Sequence, residues 1–146
     1  LLVWLATSAA WVAPAYAAGA SDEATRIADA VRQAYGLERA YWESPQAYPT
    51  WEAVYEHYRQ GFSASLAEEM TEYTLDSDGD FATWVPEQVH VVDHGDEFAL
   101  AWFRTSDDFG EEALWDFEEY MVVRLRREGE RWVVYWATDS ASPPTR

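Results

Sequence analysis

The chain has 146 residues, which suits one domain, and its 27 acidic and 10 basic residues give a formal net charge of −17 at pH 7. This charge argues against nucleic acids and anionic membranes as partners, because their phosphates would repel it; cations, basic partners and cationic cell-wall components remain compatible. The chain has no cysteine, so its stability must come from packing, without disulfides or thiolate metal sites.

Residues 1–17 have the pattern of a secretory signal peptide. They carry no charge and end in Ala-Tyr-Ala at 15–17, a small-x-small pattern typical of a cleavage site. The alternative is an uncleaved anchor, but a run of about 17 residues broken by Pro14 is at the lower limit for a spanning helix. We therefore expect a secreted domain of residues 18–140, whose acidity either keeps it soluble or attracts a partner.

The first predicted helix begins near Ser21, which suits an N-cap and is followed by two acidic residues that favour the positive end of the helix dipole. The helix either continues past Gly36 or kinks there, and Ser44-Pro45 ends it. Residues at helical spacing form its inward face: Ala24, Ile27, Ala28, Val31, Ala34 and Tyr35.

Two shorter helices are predicted next. Thr50 is expected as the N-cap of the second helix and Gly61 as its C-cap, and the third helix is expected to start at Ser63. The face that the second helix buries is expected to contain Trp51, Val54, Tyr55 and Tyr58. The face that the third helix buries is expected to contain Leu66, Met70 and Tyr73.

After residue 80 the hydrophobic period changes to two, which predicts four strands, at 87–92, 98–103, 114–126 and 131–138. Turns are expected at 94–96 and 128–129, and residues 141–146 are expected to be a disordered tail. In the last strand Trp132, Val134 and Trp136 are expected on one face. Helices followed by a meander of strands predict an α+β domain with helices packed on one face of a curved antiparallel sheet.

This order resembles the NTF2-like superfamily, the cone-shaped α+β fold shared with cystatin-like proteins. The resemblance is carried by the long helix from Ser21, the short helices up to Leu75 and the closing strands EEYMVVRLRREGERWVVYWATD. A long strand, a Gly turn and a Trp-bearing strand that ends in W-x-x-D are a common finish in that superfamily. The resemblance implies a concave sheet with a pocket beneath the helices, but no single activity, since the fold hosts isomerases, dehydratases, transport factors and non-catalytic secreted domains.

A pocket carboxylate is the first candidate site. Glu119 lies in the apolar phase of its strand, where burial would raise its pKa and allow it to act as an acid or base. Catalytic members of the superfamily place an Asp or His base and a Tyr donor in the cone. The residues that would match here are Glu119 or Asp116 with Tyr120, Tyr135 or His90. The alternative is a bulge at 118–119 that turns Glu119 to solvent.

A cation site is the second candidate. Carboxylates occupy positions one, three, five and twelve of a calcium loop at Asp76, Asp78, Asp80 and Glu87. Position six, which should be Gly, is Phe81, and this departure leaves two alternatives. One is a looser calcium site at the three aspartates, and the other is an acidic turn between helix and strand.

Aromatic residues are the third candidate. In a row on the surface they would stack on sugars or bind apolar ligands, whereas in the core they would only pack. The set contains Trp84, Trp102, Trp115, Trp132, Tyr135 and Trp136, and His90 joins it as a candidate ligand-pocket residue.

No HExxH, P-loop, GxSxG or GxGxxG run occurs in the chain. We therefore expect a secreted, non-catalytic NTF2-like domain that binds a protein, a peptide or a small apolar ligand. Secreted cystatin-like inhibitors of cell-wall endopeptidases are one possible parallel, by fold analogy. The alternatives are a small isomerase or lyase that uses a cone carboxylate, and a calcium-stabilised structural module. The outer face of the sheet could also pair two subunits in a homodimer.

Overall fold

The computed structural model describes the backbone of residues 16–77, 85–105 and 120–145, with side chains from Asp22 onward. Within these ranges it has three helices, α1 (Tyr16–Glu43), α2 (Trp51–Tyr58) and α3 (Ala64–Asp76), and a 3-10 turn (Pro45–Ala47). Four strands follow: β1 (His90–His94), β2 (Phe98–Arg104), β3 (Tyr120–Glu128) and β4 (Arg131–Ser140). The strands form one antiparallel sheet in the order β1-β2-β3-β4. The predicted α+β class is confirmed.

Helix α1 starts earlier than the sequence pattern predicts. Its backbone is already helical at Tyr16, so Ser21 lies inside the helix and is not its N-cap. The helix continues through Gly36 and ends at Glu43, before the Ser44-Pro45 stop. Its predicted inward face is confirmed, with Ile27 and Val31 fully buried. Among the described helices, none is long and apolar enough to cross a membrane.

Thr50 caps α2 as predicted, and Ser63, the predicted start of α3, is the N-cap of that helix. The Thr50 hydroxyl oxygen accepts a hydrogen bond from the Ala53 N–H at 3.2 Å. The Ser63 hydroxyl oxygen accepts one from the Leu66 N–H at 3.4 Å. Each cap satisfies one of the backbone donors that the first turn of a helix leaves without a partner.

The buried face of α3 differs from the predicted one by about one residue. The helix buries Ala67, Thr71 and Thr74, whereas Tyr73 is 57% exposed. The two threonines can be buried because each hydroxyl has a partner. That of Thr71 donates to the Ala67 carbonyl at 2.7 Å, and that of Thr74 is 2.9 Å from the Tyr58 hydroxyl.

Gly61 is not a helix C-cap. Helix α2 ends at Tyr58, and the one described glycine with a positive φ is Gly129, in the β3–β4 turn. A Cβ on Gly61 would lie 2.6 Å from Ala34 Cα, so glycine is required here for close approach to α1. This approach lets the α2–α3 connection pair with the β4 edge, where the Gly61 carbonyl accepts from the Val134 N–H at 2.9 Å.

The core lies between α1–α3 and one face of the sheet, called here the inner face. Tyr35 of α1 meets Phe103 of β2 edge-on, with ring centroids 4.9 Å apart. The inner face also contributes Ala99, Ala101, Val123, Leu125, Trp132 and Val134 to the core cluster. The opposite face is called the outer face.

A bulge in β4 breaks the predicted alternation of its side chains. Arg124 pairs with Trp136 and Leu125 with Val134, so Tyr135 is an extra residue between two ladder positions. Val134 is fully buried, whereas Trp136 is 39% exposed and faces the other way. The prediction that Trp136 shares a face with Val134 is therefore wrong. The bulge predicted at 118–119 lies outside the described residues.

Candidate functional site

The outer face gathers aromatic and arginine side chains from all four strands. The register places Leu100 beside Arg124 and Phe98 beside Arg126, and these residues alternate with the buried inner residues of β2 and β3. The main members of this surface are His90, Phe98, Trp102, Tyr120, Arg124, Arg126, Tyr135 and Trp136. Four of the predicted ligand-pocket residues, Trp102, Tyr135, Trp136 and His90, therefore share one surface.

Trp102 is the centre of one aromatic group on this surface. His90 stacks on it with ring centroids 4.1 Å apart and an interplanar angle of 15°. Tyr120 meets it edge-on at 5.4 Å. Since His90 covers one face of the indole, Trp102 offers less bare ring area for stacking on a sugar than its position suggests.

Arg124 is the centre of the second group. Its guanidinium carbon lies 4.8 Å from the centroid of the Trp136 ring, and the residue is exposed. With the described residues it makes neither an ion pair nor a hydrogen bond. Six other described arginines have carboxylate partners: Arg26, Arg32, Arg39, Arg59, Arg126 and Arg127. Exposed Arg131, at the start of β4, likewise has no carboxylate partner among the described residues, but it donates to the Gln60 carbonyl at 3.5 Å. A stacked guanidinium keeps its edge N–H donors available for an incoming acceptor.

Arg126 has a carboxylate partner, Glu128, which it shares with Arg59. It lies 6.0 Å from the Tyr135 ring centroid and donates to the Glu128 carboxylate at 2.7 Å. Burial favours a raised pKa for Glu128, but the hydrogen bonds and charges of Arg126 and Arg59 outweigh it and hold this pKa below its usual value. Of the two outer-face arginines, Arg124 and Arg126, Arg124 is the one without a carboxylate partner among the described residues.

A shallow depression of about 650 Å³ adjoins Arg124. Its apolar wall includes Phe98, which is 58% exposed, and Tyr135, whose ring centroid is 6.2 Å from that of Phe98. Its other end is the β1–β2 hairpin, which contributes exposed carboxylates at Asp93, Asp96 and Glu97. The depression thus combines a cation, an apolar wall and a group of anions.

A second depression, of about 500 Å³, lies between α1 and β1. Arg32 lines it, and its guanidinium is already held by the Asp29 carboxylate at 2.8 Å and the Glu87 carbonyl at 3.3 Å. This depression therefore offers a ligand fewer unsatisfied groups than the one beside Arg124.

Glu38 of α1 is a candidate that the sequence reasoning missed. Desolvation by burial raises its pKa to about 7, and its charge adds to the desolvation that raises the pKa values of Tyr35 and Tyr58. The sequence did carry a signal, because Glu38 continues the inward helical spacing of Val31, Ala34 and Tyr35. Neither of the two depressions is lined by Glu38.

The structure describes only some of the predicted catalytic residues. Tyr120 lies on the outer face of the sheet, against Trp102. The core, which includes Tyr35 of α1, lies on the opposite side of the sheet. Asp116, Glu119 and the aromatic residues Trp84 and Trp115 lie outside the described residues.

Trp132 lies on the inner side, where it joins the sheet to α1. Its indole N–H donates to Glu23 Oε1 at 2.6 Å, and Arg127 lies 3.5 Å from the same oxygen. The Arg127 guanidinium also lies 5.6 Å from the Trp132 ring centroid. Trp132 is therefore a packing residue between the sheet and α1.

The predicted calcium ligands are separated by undescribed chain. Asp76 is the last residue of α3, and the Glu87 backbone carbonyl accepts from Arg32 at 3.3 Å. Asp78 and Asp80 lie outside the described residues. In the ranges that are described, no group of three or more His, Asp or Glu side chains could hold a metal ion.

The chain matches no protein-family model, no curated protein and no solved structure.

Proposed function

We propose that this protein is a secreted, non-catalytic binding domain of the NTF2-like type, which holds a partner on the outer face of its sheet. The observation that carries the proposal is Arg124, an exposed guanidinium stacked on Trp136 at 4.8 Å. The chain has 27 acidic residues, yet no described carboxylate pairs with this arginine. Stacking holds the guanidinium in place, so a partner that binds it loses less side-chain entropy.

Secretion is supported by the uncharged run of residues 1–17 and by its small-x-small end. The NTF2-like kinship is supported by the order of helices and antiparallel strands. Binding is favoured over catalysis because the described outer face contains stacked rings and ion pairs, and no carboxylate–histidine or carboxylate–tyrosine hydrogen bond is found among its described residues.

Glu38 supports a second candidate function, that of a small enzyme with a carboxylate base. A carboxyl group with a pKa of about 7 is matched to proton transfer near neutral pH. Tyr58 and Tyr35 are near enough to feel its charge. This candidate requires a ligand cavity that reaches Glu38.

A titration followed by two-dimensional NMR separates the two candidates. The uniformly ¹⁵N-labelled protein is titrated with a pooled library of blocked tetrapeptides. We expect concentration-dependent shifts at the Trp136 indole and the Arg124 side-chain N–H, and Arg124→Gln should require higher peptide concentrations for the Trp136 shift. The matched control is Arg39→Gln, because Arg39 is an exposed arginine of α1 that pairs with Glu43 on the same helix.

Shifts confined to Glu38 and its tyrosine neighbours would instead support the enzyme. A spectrum that does not change at any residue would refute the proposed binding function.

A further inference from the structure

We propose that the ligand of the outer face is a peptide segment of a partner protein that carries a basic side chain and a carboxylate about three residues apart. This inference rests on the proposed function and names the class of its ligand. The segment would cross β1, β2 and β3 in the depression beside Arg124.

The spacing follows from the register of the sheet. Asp93 pairs with Leu100, Leu100 with Arg124, and Arg124 with Trp136, so these residues form one row across the four strands. Adjacent strands are about 4.8 Å apart, which places Asp93 and Arg124 about 10 Å apart. A peptide in the polyproline II conformation rises about 3.1 Å per residue and has three residues per turn, so side chains three residues apart point the same way and lie about 9 Å apart.

The two ends of the depression have opposite charge. Arg124 can donate two parallel hydrogen bonds to one carboxylate, which is the geometry that arginine favours. At the other end Asp93, Asp96 and Glu97 are exposed and have no ion-pair partner among the described residues. A basic side chain placed there would meet up to three carboxylates.

The charge pattern excludes ligands of a single sign. A polyanion would be repelled by the hairpin carboxylates and by the net charge of −17. A polycation would place like charge against Arg124 and leave that guanidinium without an acceptor. A segment with both signs satisfies the two ends together.

The surface between the charged ends is apolar. Leu100 lies in the row between Asp93 and Arg124, and the exposed ring of Phe98 stands beside it. Tyr135 closes the wall on the β4 side, where the bulge turns it outward. The residues between the two charges of the peptide should therefore include an apolar side chain, which these groups would remove from water.

Sugars fit this surface less well than a peptide does. His90 already stacks on Trp102, and the Arg124 guanidinium lies over Trp136, so at least one face of each indole is occupied. A peptide uses the guanidinium edge and the apolar wall and leaves these stacks intact.

The test is a double-mutant cycle between the protein and a blocked tetrapeptide. The probe is acetyl-Lys-Leu-Ala-Glu-amide, and its two variants carry Gln in place of Lys or of Glu. Dissociation constants come from the NMR shifts of the Trp136 indole. We expect each Gln variant to bind about fivefold more weakly, the effect of one partly exposed charge pair.

The cycle then assigns each charge to its partner. In Arg124→Gln the preference for Glu over Gln should disappear while the preference for Lys persists, and Asp93→Asn should reduce the preference for Lys alone. Arg39→Gln is the control that should change neither. If the two Gln peptides lose affinity to the same extent with every protein variant, the proposed ligand class is wrong.

Other outcomes separate this inference from the proposed function. If pooled peptides shift the outer face but the charged probe has no preference over its Gln variants, the ligand class is wrong and the binding function stands. If no peptide shifts the outer face, both fail. If these signals move with protein concentration and sedimentation shows a dimer, a second copy occupies the face and the peptide is excluded.

Discussion

At the scale of single residues, Gly61 and Gly36 have opposite surroundings. A Cβ on Gly61 would lie 2.6 Å from Ala34 Cα and 2.9 Å from Ala34 Cβ, within the buried contact between α1 and the α2–α3 connection. A Cβ on Gly36 would meet nothing within 4 Å. The first glycine is required for packing, whereas the second only adds backbone freedom to a helix.

We predict that Gly61→Ala lowers the free energy of unfolding by about 1–3 kcal/mol, because α1 or the connection must move to make room. Gly36→Ala is the matched control and should raise it by about 0.5–1 kcal/mol, since alanine favours the helix. Urea denaturation measures both. A Gly61→Ala variant as stable as the wild type would show that the close approach is not required.

Glu38 makes stability depend on pH. Its pKa rises from an ordinary value of 4.5 to about 7 on folding, so between these values the folded state binds more protons than the unfolded state. Stability therefore falls as pH rises from about 4.5 to about 7, and the loss is complete above the folded pKa.

We predict that Glu38→Gln stabilises the protein at pH 8 by about 1–3 kcal/mol and has little effect at pH 4. A shift of one pKa unit corresponds to about 1.4 kcal/mol of stability. The solvent contact that Glu38 retains makes the expected change smaller than its whole pKa shift would give. The measurement is urea denaturation at both pH values, with the exposed Glu56→Gln as control. If Glu38→Gln changes the free energy of unfolding by the same amount at pH 4 and at pH 8, the raised pKa of Glu38 is contradicted.

At the scale of elements, Glu23 joins the first helix to the last hairpin. Its carboxylate accepts from the Trp132 indole at 2.6 Å and pairs with Arg127 at 3.5 Å, which are contacts between α1 and both β3 and β4. The neighbouring Asp22 pairs with Arg26 on the same helix and has no ion pair with any other described element.

We predict that Glu23→Ala lowers the free energy of unfolding by about 1–2 kcal/mol, because the indole N–H of the buried Trp132 loses its acceptor. Asp22→Ala should change it by less than about 0.5 kcal/mol, as expected for an exposed ion pair. Thermal unfolding and amide exchange in α1 provide the readouts. If the two variants lose equal stability, the contacts of Glu23 with the hairpin contribute no more to stability than an exposed ion pair does.

At the scale of the whole molecule, the helices cover the inner face and leave the aromatic and arginine residues of the outer face exposed. A net charge of −17 repels polyanions at long range, so Arg124 is suited to a single carboxylate and not to a charged polymer. The exposed hairpin carboxylates strengthen this selection because they stand at the other end of the same depression. Fold and charge together thus favour a small site for a segment with charges of both signs.

Features that depend on neighbouring residues could be predicted from the amino-acid sequence. The caps at Thr50 and Ser63 and the inward face of α1 were predictable because each is set within one or two helical turns. The α+β class followed from the change of hydrophobic period after residue 80. These signals are local, so packing elsewhere in the chain does not alter them.

Features that depend on residues far apart in the chain could be read only from the folded structure. The bulge at Tyr135 exists because β3 and β4 pair in a particular register, and it turns Trp136 toward Arg124. Gly61 is required because α1 passes next to it, and the pKa of Glu38 rises because packing removes it from water. Folding also decides which arginines lie next to a carboxylate. In the described part of the chain it leaves Arg124 without one.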